Sequence, residues 1–404
     1  MKQTLSLILT VGTGTAGADS FVAQGLRTTV EILQPRRFWL LPSISAASIE
    51  VADYVREGLD TFAPWSAEAA YRLFEEPDSL QACRTVVREV IQVARSELGP
   101  MERLLVNPTS GTKQMSSGAT IAALDEKIGE LVFTVGERSD GVVKTGTERL
   151  ESFHADSYFA ERDFQLARDL FNSGSFAAAA SLLRPYPAIR AERELCALIH
   201  EWERSNYAGA FEIAKSGHHP AFPNLLNHLK PLTAEASRGG RPSAYVTADL
   251  LNLAKRLFER REHEASLLTA CKALEVGLRY DFLQRTGLYE PYRLSDLESL
   301  PGISLAKFNR LRANTQPDGT LFLGLRALGD LLHTQASPLA EVYQNKREIK
   351  DVVRIRNDRT HQIRAVTRAE ANLAIREIRA LLAPLHLPVA ADLPSTLEYA
   401  ASSC

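Results

Sequence analysis

Apolar residues along the chain change their spacing near residue 150, and that change divides the sequence. Before it, short continuous apolar runs alternate with helical periodicity. Leu5–Val11 is a largely apolar run, followed by a helical pattern through Phe21, Leu26, Val30 and Leu33. Phe38–Leu41, Leu104–Val106 and Leu131–Val135 read as further strands with helical stretches between them. Strands that alternate with helices predict a mostly parallel sheet covered on both faces, with any ligand beyond the carboxyl ends of the strands.

From Ala160 onward the spacing is helical and strand patterns disappear. Phe164, Leu166, Leu170 and Phe171 lead to Gly174 and then to the small-residue run 176–183, the pattern of a helical hairpin. Asp249 is read as the start of a long helix, followed by another from Glu264. Further helices are expected around Leu321–Leu332 and Glu341–Val353. The clearest linker is 237–242, Ser-Arg-Gly-Gly-Arg-Pro. The expected organisation is an α/β unit over 1–150, a helical spacer over 151–240, an all-α bundle over 241–390 and a tail over 391–404.

The chain's 404 residues suffice for two or three domains, and 45% hydrophobic with 24% charged is an ordinary globular composition. A formal charge of −2 excludes a protein that coats nucleic acid through overall charge. The charge is uneven, however: residues 346–379 hold ten Lys/Arg against five Asp/Glu, which makes that stretch +5 and leaves −7 elsewhere. Cys83, Cys196, Cys271 and Cys404 have no paired spacing, which argues against a disulfide framework or zinc knuckle and suits a reducing cytoplasm. His218 and His219 lack a third ligand nearby, which argues against a metal site. No apolar run approaches the ~20 residues that span a bilayer, and the N-terminal apolar run is read as a buried strand and not as a signal peptide.

Two turns in the first 150 residues suit phosphate. Gly12, Gly14 and Gly17 fit G-x-G-x-x-G, but the second strand ends in Leu-Leu-Pro-Ser-Ile-Ser with no acid to hold ribose hydroxyls, which disfavours a nicotinamide enzyme. The stretch from Asn107 through Thr109, Ser110, Gly111, Thr112 and Lys113 sits between a strand and a helix. Hydroxyls, a glycine and a lysine beside helix-start amides make a phosphate cradle, although an ordinary N-capped helix would read the same.

Near the far end, Arg356, Asn357 and His361 sit in a basic helical stretch between two amphipathic runs. Imidazole moves protons near neutral pH, and guanidinium holds phosphate and stabilises charge on its oxygens. That is chemistry for a phosphodiester, set against the plain alternative of a solvated helix face. Residues five apart lie about 140° around a helix, so one straight helix does not aim Arg356 and His361 at one phosphate. Either a helix start falls between them or a second subunit supplies the same motif.

The Gly12-Thr13-Gly14 turn with the later Thr-Ser-Gly-Thr-Lys strand end resembles the CARF domain of CRISPR-associated proteins. The helical part, with Arg-Asn followed by His361, resembles a HEPN domain. Together they resemble the CARF–HEPN ribonucleases of type III CRISPR systems (Csm/Csx type). The resemblance implies a Rossmann-like CARF domain followed by an all-α region that ends in a HEPN bundle. It also implies a cytoplasmic homodimer that acts as a single-stranded RNA endoribonuclease in antiviral defence. A cyclic oligoadenylate, the tetra-adenylate favoured over the hexa-adenylate, would bind at Gly12, Thr13, Gly14, Thr109, Ser110, Gly111, Thr112 and Lys113 and switch the enzyme on. No metal or other cofactor is implied. The RNA 2′-hydroxyl would attack the adjacent phosphorus to leave 2′,3′-cyclic phosphate ends. Arg356, Asn357 and His361 would be catalytic, with Asp358 a candidate to orient the imidazole and Arg354 and Arg359 contacting the RNA backbone. The alternatives are a non-catalytic ligand-sensing regulator and an enzyme that also degrades its own activator.

Overall fold

The computed structural model describes residues 5–13, 19–63, 67–99, 102–139, 142–237, 241–303, 309, 311–313, 315–361 and 364–398; the side chains of 19, 20, 139, 142, 236 and 359–361 are not described. The chain divides into two compact units, Met1–Arg162 and Asp163–Cys404.

The first unit begins with β1 (Leu5–Val11), whose apolar run is buried because both faces of the strand are covered. Leu7, Leu9 and Val11 pack on one side with Phe38, Leu40, Val51 and Val55, while Ile8 packs on the other with Leu41, Val87, Ile91 and Val106. The covering elements are α1 (Asp19–Leu33) and α2 (Ala46–Glu57) on the first face, and α4 (Leu80–Glu97) and α5 (Lys113–Asp125) on the second. A short α3 (Leu59–Phe62) follows α2. The strands β2 (Arg37–Pro42), β3 (Glu68–Tyr71), β4 (Arg103–Asn107) and β5 (Glu130–Val135) complete the parallel part. After a small ribbon of β6 (Arg138–Ser139) and β7 (Val142–Val143), β8 (Arg149–His154) returns antiparallel to β5. Strand order is β3-β2-β1-β4-β5-β8, so the chain reverses its direction of travel across the sheet between β1 and β4. Open α/β sheets bind ligands at such a reversal. The sheet runs past residue 150, because β8 pairs along its whole length through His154.

The second unit is helical. α6 (Asp156–Asn172), in which the division falls, leads to α7 (Phe176–Leu182), α8 (Arg190–Glu203), α9 (Tyr207–Ser216) and α10 (Phe222–Ala236). Phe164, Trp202, Phe222 and Leu229 centre their core. A second core is built by α11 (Ala244–Glu259) and the 24-residue α12 (His263–Thr286) with the helices that follow. Those are α13 (Leu294–Glu298), α14 (Leu325–Thr334), α15 (Pro338–Asn345), α16 (Arg347–His361) and α17 (Arg368–Leu382). A two-stranded ribbon of β9 (Tyr292–Arg293) and β10 (Thr320–Leu321) adjoins α13.

Three sequence expectations are corrected here. Asp249 does not start a helix: α11 begins at Ala244, capped by Ser243, whose hydroxyl accepts from the Tyr245 and Val246 amides. The Asp249 carboxylate is instead buried, accepting from Trp202 Nε1 at 2.9 Å and Tyr207 OH at 3.0 Å. The helix expected over 341–353 is two helices, broken at Lys346 by an extended backbone (ψ 118). Finally, the described part of the expected tail, 391–398, is packed. Ala391, Leu393 and Leu397 are buried in the α6–α10 core, and Asn252 donates to the Ala391 carbonyl at 2.7 Å. Their apolar spacing is irregular, so no helical or strand period betrays the burial.

Candidate functional site

In the sheet unit, the ends of β1 and β4 meet through glycine. A Cβ on Gly12 would lie 2.4 Å from the Gly111 nitrogen, so the two turns touch backbone to backbone. The Gly12 amide donates to Ser110 Oγ at 2.9 Å, and Gly111 has φ +113, a conformation that favours glycine. Thr13 is half-buried beside Gly12, while Gly14 lies outside the described residues.

The hydroxyls of the second turn are partly committed to the fold. Thr109 Oγ1 accepts from the Thr134 amide at 2.9 Å, and the Thr109 amide donates to Asn107 Oδ1 at 3.0 Å. Asn107 Nδ2 in turn donates to Thr134 Oγ1 at 2.9 Å. Thr112 caps α5: its hydroxyl accepts from the Met115 amide at 3.2 Å and donates to the Pro77 carbonyl at 2.6 Å. Its proton is therefore spent within the protein. Lys113 is exposed at the first position of α5. The structure thus brings Gly12, Thr13 and the 109–113 turn together at the switch point, with Thr112 acting as the helix cap.

Sequence reasoning missed the serines beside this site. Ser48 Oγ donates to the Val11 carbonyl at 2.8 Å and accepts from the Ser43 amide at 3.0 Å, which ties the end of β1 to that of β2. Single hydroxyls give no spacing signal; the only hint was the Pro-Ser-Ile-Ser turn where an acid was sought and not found.

In the helical unit, α16 turns a stripe of Ile349, Val352 and Ile355 into the core, all buried. Arg356 is seven residues after Ile349 and four after Val352, so it extends this apolar stripe. It is half-buried, and its charge reaches Cys271 on α12. Burial pushes that thiol up to about 12, and the Arg356 guanidinium pulls the other way. Arg356 Nη1 donates to Asn357 Oδ1 at 3.1 Å, and Asn357 is exposed. Arg354 is exposed and pairs with Asp351 at 3.1 Å, one turn back.

His361 closes α16, and the side chains of Arg359 and His361 lie outside the described residues. No helix start falls between Arg356 and His361, because α16 runs unbroken from Arg347 to His361. Arg356 and Asn357 line a cleft of about 1090 Å³, bounded also by α12, α14 and α15. Among the described residues no group of three His, Cys, Asp or Glu side chains is placed to hold a metal ion. Nor is any described helix long and apolar enough to cross a membrane.

No protein-family model and no curated protein sequence matches the chain. Among solved structures it is similar to Enterococcus italicus Csm6 bound to cyclic hexa-2′-fluoro-hexa-dAMP, with a TM-score of 0.65 over 95% of this chain and 94% of that one, at 12% identity. At that identity the likeness is one of fold: a mostly parallel sheet unit followed by an all-helical region, end to end.

Proposed function

We propose that the chain is a cyclic-oligoadenylate-activated endoribonuclease of type III CRISPR defence that cleaves single-stranded RNA without a metal. The observation that supports this most is that the fold likeness to Csm6 covers nearly the whole of both chains. Both signature turns and the Arg-Asn stretch then fall in the units where such an enzyme needs them. The activator binds where Gly12 meets the 109–113 turn, with the exposed Lys113 as its phosphate contact. The ligand named with that Csm6 is a six-nucleotide ring; the four-membered adenylate ring is the sequence-based expectation for this chain.

The unbroken α16 supports a homodimeric site. Positions five apart on one helix face about 140° away from each other, so Arg356 and His361 of one copy do not address one phosphate. Two copies of the helix, one from each subunit, supply an Arg and a His to the same RNA. The 2′-oxygen then forms its bond to phosphorus as the bond to the 5′-oxygen breaks. The 2′-hydroxyl proton leaves to a base, the 5′-oxygen gains a proton, and His361 serves one of these transfers. Arg356 balances the charge on the phosphorane oxygens. Asn357 fixes the guanidinium through its side-chain oxygen, and Arg354 and Arg359 touch the flanking backbone.

The test is cleavage of a fluorescent single-stranded RNA in EDTA, with and without cyclic tetra- and hexa-adenylate. Activator-dependent cleavage is expected, and it should fall by about 10²–10³-fold in Arg356→Ala and in His361→Ala. Cleavage abolished by EDTA, or indifferent to both substitutions, overturns the mechanism. Ring binding without cleavage in any condition leaves a ligand-sensing regulator instead.

A further inference from the structure

The cleft beside Arg356 contains more cationic chemistry than the motif uses. Arg326, at the start of α14, and Lys350, on α16, both line it and are exposed. Neither makes an ion pair with a described residue, whereas their neighbours Arg347 and Arg354 on α16 both pair with Asp351. The two acids of the cleft are engaged: Glu275 pairs with Arg279, and Asp330 accepts from Gln344 Nε2 at 3.2 Å.

Between these groups stands Tyr343 of α15. Its ring lies against Gly329, where a Cβ would come within 2.7 Å of Cδ1. A glycine inside α14 costs the helix about 1 kcal/mol relative to alanine, and here it makes room for an aromatic wall. Tyr343, Asp330 and Arg326 all line the cleft, and burial and the nearby Asp330 push the Tyr343 phenol up, with Arg326 opposing. The volume, about 1090 Å³, lies just above the usual range for small-ligand sites, room for more than one nucleotide. Exposed cations without an ion pair among the described residues, an aromatic ring and an amide around one cavity match a phosphate-bearing strand better than an apolar peptide.

We infer that this cleft is the RNA subsite flanking the scissile phosphate, with Lys350 and Arg326 on a backbone phosphate and Tyr343 beside the base. The inference rests on the ribonuclease reading, since Arg356 at the cleft wall sets where the scissile phosphate lies. It adds substrate contacts from α14 and α15 to those of the Arg-Asn-His stretch.

The experiment measures the affinity of short single-stranded RNA for the full chain bearing His361→Ala, activator present, across a salt series. Lys350→Ala and Arg326→Ala should each weaken binding on the order of fivefold. Each should also lower the slope of log K against log salt by about 0.7, the signature of one lost phosphate contact to a single strand. Arg347→Ala, on the exposed side of the same helix at 91% exposure, should leave the slope unchanged. Equal slopes in all variants, the same drop in Arg347→Ala, or no RNA binding at all would overturn the subsite. Cleavage by the otherwise native chain is read separately. RNA binding with the expected slopes but no cleavage keeps the subsite and removes the ribonuclease; cleavage with unmoved slopes does the reverse.

Discussion

Gly12 joins the ends of two strands because it has no side chain. A methyl group at that position would have to displace the Gly111 backbone, which is held by its own positive φ and by the Ser110 hydroxyl bond to Gly12. Gly12→Ala is therefore expected to cost about 1–3 kcal/mol of stability by overpacking. It should also weaken binding of the proposed activator, because the cradle opens as the turns part. Urea unfolding beside calorimetric titration of the ring would check both; a stable variant with native affinity would refute the close approach. That the two turns meet was legible as a pair of glycine-and-hydroxyl strand ends, although an N-capped helix reads the same and Thr112 does cap α5. Their division of labour was not: nothing in Thr-Ser-Gly-Thr distinguishes Thr112, whose proton goes to the Pro77 carbonyl, from its neighbours.

The elements that sequence periodicity revealed are those whose burial is simple. β1 is covered on both faces and so reads as a largely apolar run. β8, Arg-Leu-Glu-Ser-Phe-His, lies at the sheet edge and is mostly exposed, so its sequence offers neither an apolar run nor a clean alternation. α11 was misplaced for a different reason. An acid near a helix start ordinarily signals an N-terminus, but Asp249 is buried against Trp202 and Tyr207. Burial raises its carboxyl above the ordinary 3.8, outweighing the opposite pull of Arg256 and of the two hydrogen bonds. A raised folded value means that the folded state holds the proton more tightly. The stabilisation is therefore fully present below the unfolded value and is lost as pH rises through the folded one. Wild-type stability should accordingly fall relative to Asp249→Asn as pH climbs from about 4 toward neutrality, in denaturant titrations run side by side. Parallel curves for the two proteins would remove Asp249 as the source.

At the scale of the molecule, the helical unit has two apolar cores, and the segment after α17 belongs to the one built much earlier in the sequence. Leu393 is 7% exposed among the α6–α10 residues. Leu393→Ala should cost about 2–5 kcal/mol, the usual loss for emptying a packed leucine site, and should lower the melting temperature without touching the cleft beside Arg356. A melting temperature unchanged by that substitution would return the segment to the status of a tail. It was unreadable as a core element because an extended segment that packs through Ala391, Leu393 and Leu397 has no periodicity of its own.

That segment also sets a clock on the birth of the protein. About 160 residues separate Leu232, the last member of that core on α10, from Ala391. At ribosomal speeds of about 5–20 residues per second, the α6–α10 helices wait on the order of ten to thirty seconds for the segment that seals them. A product of premature termination keeps an open apolar seam, the kind of surface that chaperones and proteases recognise. Quality control can thus distinguish finished from unfinished copies of a chain whose proposed work is to destroy RNA.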